Sequence, residues 1–138
     1  MFLHKTIIRV RYADTDKMQF VYNGKYFEYF EVGRTELLRK AGLAYKDVEA
    51  EGYHLPLIEA GIKYIQPAQY DDLLEVEAVV KEIYSPKVYI EYIIKKSDSG
   101  DLIATGFTTH MFIKSDTKKA TRPPKIYLDA LKPFFTEK

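Results

Sequence analysis

One stretch of this chain repeats its apolar residues at helical spacing, whereas most of the remaining segments alternate. From Asn23 onward, Tyr26, Phe30, Gly33, Leu37 and Ala41 share one face at a 3.6-residue period, flanked by Phe27, Arg34 and Leu38. Asn23 stands where an N-cap belongs, and "RKAGL" brings basic residues into the last turn with Gly42 at the C′ position. The spacing predicts one long helix. Gly33 in its middle costs about 1 kcal/mol against Ala. A glycine there implies that a sheet or another chain comes close.

The other segments have period two. In residues 5–12, Ile8, Val10 and Tyr12 alternate with Arg9 and Arg11, which predicts a half-buried strand. Further strands are predicted near 53–66, 72–84, 87–97 and 101–114, with "YSPK" and "KSDSGD" as hairpin turns. "RPPK" stops the last strand before a short C-terminal helix around 124–133. The expected architecture is α+β: a single domain over 1–138, one strand and one long helix followed by four meandering antiparallel strands. One helix covers only part of a five-stranded sheet, so an obligate dimer is expected.

Composition excludes several kinds of chemistry. Lys and Arg number 21 against 20 acids, a balance that gives no argument for nucleic acid or a membrane surface as partner. With no cysteine there is no disulfide, no thiolate ligand and no thiol nucleophile. His4, His54 and His110 lie far apart, so no metal site is expected. The N-terminus lacks an apolar signal-like run, and no segment approaches a membrane span in length. A cytoplasmic location is expected. No Ser sits in a G-x-S-x-G elbow, and there is no glycine-rich phosphate loop.

The residues that could carry chemistry lie in "YADTDKMQFVYNGKY", where Asp14 and Asp16 close the first strand just before the helix. Asp at such a place commonly builds a turn by bonding nearby amides. A helix N-terminus also offers free N–H donors and a positive dipole end, suited to a developing oxyanion. A carboxylate beside an apolar loop is expected to be partly desolvated, which favours a base or nucleophile. Asp71 and Asp72 in "QYDDLLEV", after Pro67, are expected to form a turn.

The segments "RVRYADTDKMQFVYNGKYFEYFEVGRTELLRKAGL" and "PLIEAGIKYIQPAQYDDLLEVEAVV", with "ATGFTTHMFIK" and "RPPKIYLDAL", resemble the hotdog-fold acyl-CoA thioesterases of the 4-hydroxybenzoyl-CoA thioesterase family. The resemblance covers nearly the whole chain. It implies an antiparallel sheet wrapped around one long helix, and hydrolysis of a thioester with no cofactor beyond the coenzyme A of the substrate. It places catalysis on Asp16, as nucleophile or as base for a water. It gives the carbonyl-polarising amides to Asn23 and Gly24, and supporting places to Asp14, Tyr22 and Glu59. Lys63, Lys87, Lys118, Lys119 and Arg122 are candidates for the coenzyme A phosphates. A homodimer or homotetramer is implied.

The chain departs from the family's usual pattern at Gln19, where many relatives have Gly, at Asn23, where many have His, and at Lys25, where Asn or Ser is usual. Asn23 removes a side-chain proton donor and leaves the backbone amide. Two other readings stand beside hydrolysis: an acyl-CoA-binding or protein-interaction module with little turnover, and a hotdog dehydratase or hydratase.

Overall fold

The structure, a computed structural model, describes residues 1–135. Its elements in chain order are β1 (Phe2–Arg9), α1 (Lys25–Lys40), α2 (Tyr45–Ala50), β2 (Tyr53–His54), β3 (Leu57–Tyr64), β4 (Leu73–Val80), β5 (Lys87–Lys96), β6 (Leu102–Met111), β7 (Ile113–Lys114) and α3 (Lys125–Leu131). Five strands form one antiparallel sheet in the order β1-β4-β5-β6-β3, and β2 pairs with β7 in a small second sheet. α1 lies along one face of the large sheet. This is the α+β hotdog arrangement.

The helix packs where the sequence leaves room for it. A Cβ on Gly33 would stand 2.9 Å from Cγ1 of Val76 on β4, so the glycine lets α1 settle directly onto the sheet. It is the sheet that approaches at this point. One turn earlier, Phe30 stacks on Tyr92 of β5 with ring centroids 4.3 Å apart. Phe30 and Leu37 are fully buried, and each contributes on the order of 2–3 kcal/mol of apolar transfer. Gly42, at a φ of +83°, takes the left-handed C′ position expected of it.

Several boundaries differ from expectation for identifiable reasons. The first strand spans Phe2–Arg9 rather than 5–12, because Tyr12–Asp14 form a turn of 3-10 helix that leaves Tyr12 exposed. The predicted strand at 53–66 is interrupted by Pro56, which has no N–H to give a ladder. Its first part pairs with β7 and its second with β6. The four later strands are therefore not a simple meander, since β3 crosses to the far edge beside β6. The segment after α1 contains α2, whose start is fixed by Asp47 Oδ2 accepting the Ala44 N–H at 3.2 Å. Asp72 closes the turn before β4 by accepting the Gln69 N–H at 2.8 Å.

Candidate active site

The loop between β1 and α1 is built around the two aspartates, which have opposite surroundings. Asp14 is buried. Its Oδ2 accepts the Tyr29 hydroxyl at 2.8 Å and the Arg11 backbone N–H at 3.2 Å. Its Oδ1 accepts Nη2 of Arg11 at 3.0 Å, and Nζ of Lys25 stands 3.6 Å away. Burial alone would raise the carboxyl's pKa, but the bonds from Tyr29 and Arg11 outweigh it and hold the group below its ordinary value. Burial, with the Asp14 charge beside it, pushes the Tyr29 hydroxyl far up, so Tyr29 stays a donor. Asp14 thereby pins the loop to the first turns of α1.

Asp16 is exposed in this single chain, which corrects the expectation of a desolvated carboxylate. It is held in place all the same. Its Oδ1 accepts the N–H groups of Met18 at 2.9 Å and Phe20 at 3.2 Å. Its own N–H donates to the Phe20 carbonyl at 2.8 Å, and its carbonyl accepts the Gln19 N–H at 2.9 Å. Both bonds to the carboxylate fall on Oδ1. The loop turns this sharply because Gln19 adopts a φ of +66°, a conformation natural to glycine.

Asp16 and Asn23 line one cavity of about 380 Å³, with Met18, Phe20, Tyr26 and Tyr64. That volume suits a small ligand group. The N-cap is Gly24 and not Asn23, because a tight turn closed by the Lys25 N–H on the Tyr22 carbonyl precedes the helix. Among the described residues no acceptor takes the N–H of Asn23 or Gly24, while the Asn23 carbonyl accepts the Tyr64 hydroxyl at 3.1 Å. Tyr26 ties the cavity floor to the loop before β4: its hydroxyl oxygen accepts the Ala68 N–H at 3.2 Å.

The remaining candidates are dispersed. The Tyr22 ring lies over Gly24, 3.1 Å from where a Cβ would stand, and is exposed. Glu59 is exposed on β3 and bears on Tyr89, away from Asp16. Lys63 lies on the groove of the sheet face opposite the helix, Lys87 begins β5, and Lys118, Lys119 and Arg122 lie between β7 and α3. None of these five cations, nor Glu59, lines the Asp16 cavity. The tyrosines that shape the site, Tyr26, Tyr29 and Tyr64, carried no sequence signal beyond helical spacing and the abundance of their type.

The family model of the "Thioesterase-like superfamily" matches residues 10–131. YneP of Bacillus subtilis, provisionally named as an acyl-CoA thioesterase, is 30% identical over 94% of this chain and 93% of its own. Among solved structures, DHNA-CoA thioesterase from Staphylococcus aureus superposes with a TM-score of 0.83 at 34% identity, covering 98% of this chain and 87% of that one. The hypothetical protein TT1821 from Thermus thermophilus does so with a TM-score of 0.85 at 35% identity, covering 94% and 97%.

Proposed function

The chain belongs to the thioesterase-like superfamily, and we propose that it hydrolyses the thioester of an acyl-CoA to the free acid and coenzyme A. The observation that carries this reading is the pairing, in one cavity, of an immobilised carboxylate with the amide end of a long helix. The thioester carbonyl sits between them. Asp16 either takes a proton from the attacking water or attacks the carbonyl carbon itself. In both cases the carbonyl oxygen gains negative charge and draws on the N–H groups of Asn23 and Gly24 and on the positive end of α1. The C–S bond then breaks and coenzyme A leaves as the thiol, taking its proton from Asp16 in the general-base route and from water in the nucleophilic one. In the nucleophilic route a water then hydrolyses the Asp16–acyl anhydride to the free acid and restores the carboxylate. Oδ1 is committed to the Met18 and Phe20 amides, so Oδ2 is the oxygen we assign to the chemistry.

The site is proposed to be completed by a second copy of the chain, as a homodimer or a pair of dimers. β1 and β3 are the sheet edges. Both edges mix charged and exposed apolar residues, Lys5, Arg9, Leu3 and Ile7 on β1 against Glu59, Lys63, Leu57, Ile58 and Tyr64 on β3. β3 is assigned the pairing because its Tyr64 also lines the Asp16 cavity. Pairing along β3 brings a partner beside Tyr64 and Ile65, over the mouth of the Asp16 cavity, and desolvates the carboxylate. No helix among the described residues is long and apolar enough to cross a membrane, and we place the reaction in the cytoplasm.

Coenzyme A release from a panel of short, aromatic and long acyl-CoAs tests the reading. Release from at least one is expected. Tight binding without release points instead to a binding module, and hydration of an enoyl substrate to the hydratase.

A further inference from the structure

We propose that a second cavity, between α1, the β4–β5 end of the sheet and α3, binds a small organic carboxylate with an apolar body, about the size of hexanoate or benzoate. This inference does not rest on the thioesterase reading. The cavity measures about 230 Å³ and shares no lining residue with the Asp16 cavity. Arg34, its charged residue on α1, lies about 14 Å along the helix axis from the first turn at 1.5 Å per residue.

Arg34, His110 and Tyr127 are three of the six polar side chains that line it, and they face the aliphatic Val80, Val88 and Ile90. Tyr127 of α3 is almost wholly buried, and its hydroxyl has no hydrogen-bond partner. His110 of β6 is buried as well. Its Nε2 bonds to Oγ1 of Thr108 at 2.9 Å, whose other neighbour is the Tyr92 hydroxyl at 2.7 Å. The Leu55 backbone bears on the ring, yet Nδ1 closes no hydrogen bond of acceptable geometry. Buried polar atoms in native proteins are nearly always satisfied, so the unpartnered Tyr127 hydroxyl calls for an occupant of the cavity.

Charge decides what kind of occupant. Arg34 is half-buried, reaches the Tyr92 hydroxyl as a hydrogen-bond donor, bears on His110 through its charge, and forms no ion pair among the described residues. Burial and the Arg34 charge keep the His110 imidazole neutral. The interior of the cavity therefore presents one cation, a phenol donor and a neutral ring, with the exposed Glu31 carboxylate also in its lining and the Glu82 charge bearing on the Tyr127 hydroxyl. One carboxylate matches this set: its oxygens take the guanidinium fork and the Tyr127 hydroxyl. A doubly charged phosphate would lack a second cation. Glu31, exposed at the mouth, also turns a carboxylate toward Arg34 rather than leaving it at the opening. The volume equals roughly seven or eight waters at ~30 Å³ each, but the aliphatic walls would leave most of them short of partners.

The test is titration of the intact protein with hexanoate and benzoate, followed by backbone amide NMR shifts. Saturable shifts at Val88, Ile90 and His110 are expected, unchanged in Asp16→Asn. Arg34→Gln should weaken binding by about 10-fold or more, as for a lost charge-assisted contact. Tyr127→Phe, which keeps the ring and its packing, should weaken it by roughly 3–10-fold. Hexanol should bind at least ~10-fold more weakly than hexanoate. The proposal is overturned if shifts cluster around Asp16, if neither variant changes the affinity, if hexanol matches hexanoate, or if no shifts occur.

Discussion

Replacing Tyr29 by Phe removes one oxygen atom from the interior and tests whether the active-site loop is held by the Asp14 carboxylate. The Tyr29 hydroxyl donates to Oδ2 of Asp14 at 2.8 Å, and Asp14 is 3% exposed. A hydrogen bond to a charged group contributes about 1.5–3 kcal/mol. The same oxygen keeps the Arg11 N–H at 3.2 Å, which places the expected loss in the lower half of that range, about 2 kcal/mol. Arg11 cannot make up the difference with its guanidinium, since its side chain is 69% exposed and its ion pair is screened by water. For a chain of this length such a loss lowers Tm by roughly 5–8 °C. The assay is urea unfolding at one fixed protein concentration, across pH.

The pH dependence has a definite sign. The folded Asp14 has its pKa below the ordinary carboxylate value, so the stability it contributes is present above that ordinary value and is lost as pH falls through the folded one. Tyr29→Phe raises the folded pKa, so the gap between wild type and variant is widest at neutral pH and narrows in acid. A loss under about 0.5 kcal/mol, the size of an ordinary surface change, refutes the reasoning. So does a gap that stays constant as Asp14 protonates.

Gln19→Gly should stabilise the protein by about 0.5–1 kcal/mol, because relief of a left-handed non-glycine residue exceeds the added chain entropy; destabilisation in urea would contradict it. His110 has its pKa pushed down to about 4 by burial, with Arg34 adding to the effect. The unfolded ring takes up a proton below pH 6.5 that the folded ring refuses, so up to about 3 kcal/mol of stability is lost as pH falls from 6.5 toward 4. His110→Gln should flatten unfolding free energy in that window. Exhaustive EDTA treatment should leave hydrolysis unchanged; loss of activity restored by Zn²⁺ or Mn²⁺ would overturn the metal-free mechanism.

The legible parts of the fold are those set by local rules. Tyr26, Phe30, Gly33 and Leu37 mark the buried stripe of α1, Gly42 marks its end, and Gly33 marks the contact with the sheet, because spacing and steric room are written in adjacent residues. The position of β3 was not legible. Whether Leu57–Tyr64 pairs with β4 or β6 depends on long-range packing that alternation does not encode. α2 escaped because six residues span less than two turns and show no periodicity. In the site, the Asp-x-Asp pair was visible, but the burial of one aspartate and exposure of the other were not. They follow from Tyr29 reaching back fifteen residues and from the sharp turn at Gln19.

The central claim is that Asp16 performs the chemistry and Asp14 holds it in place, and Asp→Asn at each position tests this most directly. Each change keeps size and removes charge and basicity. For Asp16→Asn we predict native-like folding and a kcat lower by ~10²-fold or more on whichever acyl-CoA the wild type hydrolyses, as for loss of a positioned base or nucleophile. For Asp14→Asn we predict a smaller loss of kcat and a measurable loss of stability. Full turnover by Asp16→Asn, with or without an inactive Asp14→Asn, would contradict the claim.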